Sequence, residues 1–141
     1  MIQEIQGDLF DHTEGRVPVH CIAADHRMGA GIAVPMAKKY NLHALMDKEV
    51  LLRYPSCYYI GGVMNLVTKK LSYHKPSFAD FETAVGELRK QCVQNNITKL
   101  VMPRIGCGLD RLEWDKVLPV LERELSEFDV LVCVRDPERH I

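Results

Sequence analysis

At 141 residues the chain is long enough to bury a core of its own and short for two domains. Its 47% hydrophobic and 26% charged residues are ordinary for a globular protein, and a formal net charge of −1 excludes a global basic field, though not a local basic patch. Met1-Ile2-Gln3-Glu4-Ile5 lacks the positive start and apolar run of a secretory leader, and no apolar stretch reaches the roughly 18 residues of a membrane helix.

Short apolar runs alternate with amphipathic stretches. Residues 2–5 and 17–23 read as strands, and residues 32–40 and 42–52 as helices. Pro35 is tolerable near a helix start, where its missing N–H has no partner anyway. Residues 57–60 and 63–68 are two further strands meeting across Gly61-Gly62, a hairpin turn. Over residues 78–95, Phe78, Phe81, Val85, Leu88 and Cys92 recur at helical spacing, with Ser77 as N-cap and Asn95-Asn96 as the stop. Residues 99–102 form a short buried strand ended by Pro103. A last helix over residues 114–126 carries Val117, Leu118, Leu121 and Leu125 on one side; Pro119 inside it predicts a late start or a kink. The continuous apolar run 130–134 suits a strand covered on both faces. Strands interleaved with helices imply an α/β sheet between helical layers, and the hairpin makes that sheet mixed. Ligands of such sheets sit outside the strand ends, where loops lead into helices.

Two loops of that kind are rich in glycine. Arg27-Met28-Gly29-Ala30-Gly31-Ile32-Ala33 follows a strand and opens a helix, so its backbone N–H groups can approach an anion at a helix N-terminus. It lacks the GK[ST] ending of a phosphate-binding P-loop and the third glycine of a dinucleotide fingerprint. A plain tight turn accounts for it equally well. Pro103-Arg104-Ile105-Gly106-Cys107-Gly108-Leu109-Asp110-Arg111 again joins strand to helix. A turn needs one glycine; two around a small residue, followed by an acid, suggest a loop that wraps a ligand and presents Asp110 to it. Together the loops suit a diphosphate with a sugar beside it.

Other residues are less telling. Lys69 and Lys70 end a strand, and successive strand side chains point to opposite faces, so one of the two at most faces a given site. Solvated charges are the ordinary reading of such a pair; a desolvated lysine, by contrast, loses its proton more easily and can attack carbon. Asp8 can accept from a base amino group or cap a turn, and His20 reads as a core histidine. Cys107 with His26 or His74 imitates a thiol hydrolase without a supporting motif. The five cysteines, Cys21, Cys57, Cys92, Cys107 and Cys133, are odd in number and form no CxxC pair, arguing against a disulfide framework or structural zinc. A cytoplasmic protein using no metal is expected.

Six segments taken together resemble one family: Gly7-Asp8-Leu9-Phe10, His20-Cys21-Ile22, the loop Arg27 to Ala33, Thr68-Lys69-Lys70, His74-Lys75-Pro76, and Met102-Pro103-Arg104-Ile105-Gly106-Cys107-Gly108-Leu109-Asp110-Arg111-Leu112. In order and spacing they are similar to the macrodomain branch of the terminal ADP-ribose protein glycohydrolases, across essentially the whole chain. The resemblance implies a single three-layer α/β/α macrodomain with a mixed central sheet. Asp8 and Leu9 match the positions that hold adenine. Gly29, Ala30, Gly31 and Ile32, with Arg104, Ile105, Gly106, Cys107, Gly108 and Leu109, match those enclosing diphosphate and distal ribose. Lys69 matches the nucleophilic lysine, which leaves Lys70 facing away, and Asp110 the catalytic acid. Ala23 stands where the family can have serine, and the tail from Arg135 to Ile141 departs from the family's adenine-closing end.

What the resemblance implies is cleavage of ADP-ribose from acidic side chains or DNA bases, with attack by Lys69 on the distal C1″ and proton transfer by Asp110. A non-catalytic ADP-ribose reader and an O-acetyl-ADP-ribose deacetylase are the alternatives. The implied partners are ADP-ribose and ADP-ribosylated protein or DNA, with no cofactor and no membrane, and a monomer is expected.

Overall fold

The computed structural model describes residues 1–135. Six strands, β1 (Ile2–Gln6), β2 (Val17–Ala23), β3 (Ser56–Ile60), β4 (Val63–Lys69), β5 (Lys99–Met102) and β6 (Asp129–Val134), form one sheet in the order β1-β6-β5-β2-β4-β3. All neighbours are parallel except β3 and β4, so the sheet is mixed, as the hairpin predicts. Gly61 and Gly62 have φ of 65° and 78°, the left-handed pair that a two-residue hairpin turn needs. A Cβ on Gly61 would lie 2.8 Å from Leu42 and 3.2 Å from the Tyr40 carbonyl, so only glycine fits there.

The helices are α1 (Ala33–Tyr40), α2 (Leu42–Leu45), α3 (Phe78–Gln94) and α4 (Trp114–Glu124). Strand alternation divides the core between them. Met64, Leu66, Leu100, Val130 and Val132 pack with Phe81, Leu88, Val117 and Leu121 of α3 and α4. Val63, Val67, Val101 and Leu131 pack on the other face with Met36 and Ala37 of α1 and Leu42 of α2. Three layers result because the central strands present apolar side chains to both faces, with His20, Asn65 and Thr68 as buried polar exceptions in β2 and β4. α3 follows the spacing read from its sequence, and the Ser77 side chain accepts the Asp80 N–H at its start.

Two expectations need correction. The helix expected over residues 42–52 stops at Leu45. Beyond it the Asp47 carboxylate captures the Glu49 N–H, the Leu52 N–H bonds to the Ala24 carbonyl and the Val50 carbonyl is held by His26. Those bonds compete with a helical ladder and tie the segment to the end of β2. In the last helix Pro119 delays nothing: α4 starts at Trp114 and continues through it to Glu124, short of the expected 126. Asp115, whose carbonyl loses its helical partner to Pro119, is exposed, so water can satisfy it.

His20 is the core histidine expected. Its Nε2 lies 2.6 Å from Asn65 Oδ1, and Asn65 donates through Nδ2 to the Tyr58 and Val63 carbonyls, so His20 must be the donor in the first bond. Its buried Nδ1 has no partner. Burial lowers the imidazole from 6.5 to about 4 against the weaker opposing pull of the Asn65 bond. Between those values the unfolded chain takes a proton that the folded one refuses, so the stability is complete above 6.5 and declines toward 4. The slope is up to about 1.4 kcal/mol per pH unit. Urea unfolding of wild type and His20→Gln at neutral and mildly acidic pH should show a shallower acid loss in the variant; parallel losses would exclude His20 as the source.

Candidate functional site

A cleft of about 1060 Å³ opens along the edge of the sheet where β1, β2, β4, β5 and β6 run out into loops. Its walls include Asp8 and Leu9 after β1, Ala23 at the end of β2, both glycine-rich loops, and Lys69 and Asp110. Cys107 is the one predicted ligand-binding residue that does not line it. A second hollow of about 460 Å³, lined by residues 52–56 and Glu87, lies elsewhere and holds no comparable pair of groups.

The first glycine loop reaches the cleft through backbone that only a few residues adopt readily, with Met28 at φ 51° and Gly31 at φ 61°. It leads into α1, whose start has no side-chain cap. Val34 N–H is nonetheless taken by the Gly31 carbonyl and Met36 N–H by the Ile32 carbonyl, and Pro35 has none, which leaves the N–H of Ala33 and those of the loop before it for an anion. The second loop turns at Gly106 (φ 76°) and again at Arg111 (φ 61°), with the Leu112 N–H closing onto the Gly106 carbonyl at 2.7 Å.

Between these loops Lys69 Nζ and Asp110 Oδ1 lie 2.7 Å apart, with 14% and 13% of their side chains exposed. A register shift brings Lys69 there. Along β2 and β4, Cys21 pairs with Leu66 and Ile22 with Val67, but Ala23 pairs with Lys69, leaving Thr68 as an extra residue. Paired residues of parallel strands face the same side, and Cys21 and Leu66 belong to the face of α3 and α4. Without the bulge Thr68 would stand opposite Ala23 and Lys69 would turn with Val67 toward α1. With it, Lys69 joins Ala23 and Cys21 on the side from which Asp110 approaches, and Lys70 is left exposed.

The remaining candidates sort as follows. Asp8 lines the cleft, and its Oδ1 caps the Phe10 N–H at 3.0 Å, the turn-capping role. Arg104 lines the cleft, yet its guanidinium is already paired with Glu4 and lies 5.3 Å above the Trp114 ring. Burial pushes the Cys107 thiol up to about 11, and it contacts the Ile105 carbonyl, while His26 is bound to Val50; the thiol-hydrolase reading has no support. Cys21 beside the pair is raised far more, first by burial and then by the Asp110 charge. Among the described residues no group of three His, Cys, Asp or Glu converges as metal ligands would.

Among the charged and hydroxyl-bearing side chains, sequence reading missed four contributors. Ser72, Lys75 and Arg135 line the cleft. Asp25 lies just behind it, accepting the Ser72 N–H at 2.9 Å, the Ser72 hydroxyl at 2.6 Å and the Arg27 N–H at 3.3 Å. Burial alone would raise the Asp25 carboxyl, but the Ser72 bonds and then those from Arg27 hold it below its usual range. Lys75 stands in the segment His74-Lys75-Pro76, which carried the resemblance without a role assigned to it. Of the divergent tail, Arg135 is at the cleft and residues 136–141 lie outside the described residues.

The strand order and the loop-edge cleft define the macrodomain fold. The structure is similar to the macrodomain of Mycobacterium tuberculosis DarG, with a TM-score of 0.78 at 19% identity over 94% of this chain and 97% of that one. It is also similar to Thermosipho africanus DarTG in complex with ADP-ribose, with a TM-score of 0.76 at 19% identity over 99% of this chain and 43% of the other. No family model matches the sequence. It is nonetheless 36% identical over 140 residues to the ADP-ribose glycohydrolase OARD1 of Bos taurus, covering 94% of this chain and 90% of that protein. The Homo sapiens OARD1 is 35% identical with the same coverage. The chain therefore belongs to the terminal ADP-ribose glycohydrolase family of macrodomains, a family of hydrolases.

The second loop can be tested for its fit. A Cβ on Gly106 would lie 3.0 Å from Leu112 and 3.1 Å from Phe81, at a positive φ, whereas one on Gly108 meets nothing within 4 Å. Gly106→Ala should cost about 1–3 kcal/mol in urea unfolding. Gly108→Ala should stay within about 0.5 kcal/mol of wild type. Equal effects would mean that the loop is not held as described.

Proposed function

We propose that the protein binds ADP-ribose in this cleft and hydrolyses its bond to a modified acidic side chain or DNA base, with Lys69 as nucleophile and Asp110 as proton carrier. The observation that carries this reading is the Lys69–Asp110 contact of 2.7 Å, mostly sheltered from water, between two loops suited to a diphosphate. An isolated ion pair has no need of such a setting. In the cleft each partner has a task.

Lys69 must be neutral to attack. Asp110 Oδ1, 2.7 Å away, takes its proton, after which the amine forms a bond to C1″ of the distal ribose. The C1″ bond to the carrier breaks, and the proton on Asp110 passes to the leaving group. Opening of the ribose ring turns the Lys69 adduct into an iminium. Water adds to it, and elimination of the amine restores Lys69 and releases ADP-ribose. The N–H groups of the loop leading into α1 hold the diphosphate against the sheet edge meanwhile, which fixes C1″ over the pair.

Lys69→Ala should abolish ADP-ribose release and leave ADP-ribose binding within about tenfold of wild type. Reductive trapping of wild type with ADP-ribose should yield a covalent adduct mapping to Lys69. Full activity in the variant would remove the lysine mechanism, and binding with neither release nor adduct in wild type would make the protein a reader. Asp110→Ala should slow release by about 10²–10⁴-fold. Glutamate-, serine- and thymidine-linked ADP-ribose offered side by side would identify the linkage, and a preference for serine would overturn the acidic-side-chain or DNA assignment.

A further inference from the structure

We propose that the segment between β4 and α3 is a strap joining the two glycine-rich loops, and that Lys75 within it is a positioning residue that sets Asp110 against Lys69. The inference rests on the reading of that pair given above.

The Asp110 carboxylate is bonded to Lys69, and its place otherwise depends on the loop that carries it. Around Asp110 that loop is closed by its own backbone, Arg111 N–H to the Gly108 carbonyl across Leu109 and Asp110, and Leu112 N–H to the Gly106 carbonyl. On the N-terminal side the residue before Asp110 is Leu109, 59% exposed, an apolar side chain standing in the mouth of the cleft. Lys75 Nζ donates to the Leu109 carbonyl at 2.5 Å. A carbonyl gripped one residue before the carboxylate holds the peptide plane from which Asp110 extends, in addition to the turn closed by Arg111.

Lys75 can act in this way because the strap is anchored at both ends. At the β4 end, Ser72 gives its N–H and hydroxyl to Asp25, whose own N–H bonds to the Lys70 carbonyl. The same Asp25 accepts the Arg27 N–H at the root of the first glycine loop. At the α3 end Pro76 is buried and Ser77 caps the helix. Between the anchors the His74 N–H bonds to the Leu71 carbonyl, which shortens the path. On the far side Leu109 stands beside Gly31, near enough that a Cβ there would lie 3.2 Å from its Cδ1, so the two loops are neighbours as well. Nucleophile strand, acid loop and diphosphate loop are thus fastened to one another through the strap.

The test compares wild type, Lys75→Met and Lys75→Arg. Methionine keeps the unbranched shape, one atom shorter, and loses the donor; arginine keeps a donor. Release of ADP-ribose from a glutamate-linked peptide, ADP-ribose affinity by calorimetry, and hydrogen exchange of the backbone amides of residues 106–112 are measured on each. Lys75→Met should lower kcat by about ten- to a hundredfold while KM and ADP-ribose affinity stay within about threefold. Its loop amides should exchange faster, and Lys75→Arg should recover most of both effects. An unchanged kcat with unchanged exchange overturns the proposal. So does a loss confined to KM or affinity, which would make Lys75 a ligand contact, and so does a lower kcat without faster exchange, which would put it in the chemistry itself. If wild type neither releases ADP-ribose nor forms the Lys69 adduct, the lysine–aspartate reading fails; the exchange comparison still decides whether Lys75 fastens the loop.

Discussion

The pairing of β2 with β4 is the contact on which the cleft depends. β2 delivers the first glycine loop and β4 delivers Lys69, and the backbone bonds from Ala24 to Lys69 and from Asp25 to Lys70 continue the ladder past the formal end of the strands. Within that pairing Thr68 is one residue too many. The surplus turns the Lys69 side chain through half a strand period, from the layer of α1 to the layer of α4, where the Asp110 loop arrives. A sheet in perfect register would have offered Thr68 to that loop. Bulges recur beside functional sites for this reason: they re-aim one side chain while leaving the flanking hydrogen bonds intact.

Electrostatics and strain then follow from the placement. An ammonium and a carboxylate held largely out of water each lose hydration, and their mutual attraction offsets that loss only in good geometry. A contact of 2.7 Å supplies it. Positive φ at Met28 and Arg111, neither of them glycine, shows that the loops are bent against their own preference, and they persist because the surrounding bonds over-determine them. The exposed chemistry of the site is therefore built on a conventional core, in which Phe81 closes off the underside of Gly106 and His20 stays neutral beneath the β2–β4 pairing.

Much of this was legible in the residues themselves. The α3 helix, the Gly61-Gly62 hairpin and the buried β6 strand each follow from a period or a turn that local sterics dictate. Asp110 stood out because two glycines before an acid exceed what a turn requires. Lys69 did not, since alternation treats it and Lys70 alike and a bulge leaves no mark on the hydrophobic pattern; the resemblance to a family chose between them. Residues 46–52 misled because apolar spacing does not reveal that their backbone groups are claimed by Ala24 and His26. Asp25, Ser72 and Lys75 escaped for a related reason. Their bonds join positions 34 and 47 residues apart, and nothing in local spacing encodes such links.

The edge pairing of β1 with β6 has an entropic consequence. Ile2 is in register with Val130, so this pairing joins segments from opposite ends of the sequence. Asp8 and Leu9 follow β1 and Arg135 follows β6, which means that one end of the cleft takes shape only when that longest-range pairing forms. Closing so large a loop costs more chain entropy than closing the β3–β4 hairpin, although that cost grows only slowly with length. Recognition of the ligand thereby depends on a pairing between distant segments, and a chain that has not completed its sheet has no finished site to offer.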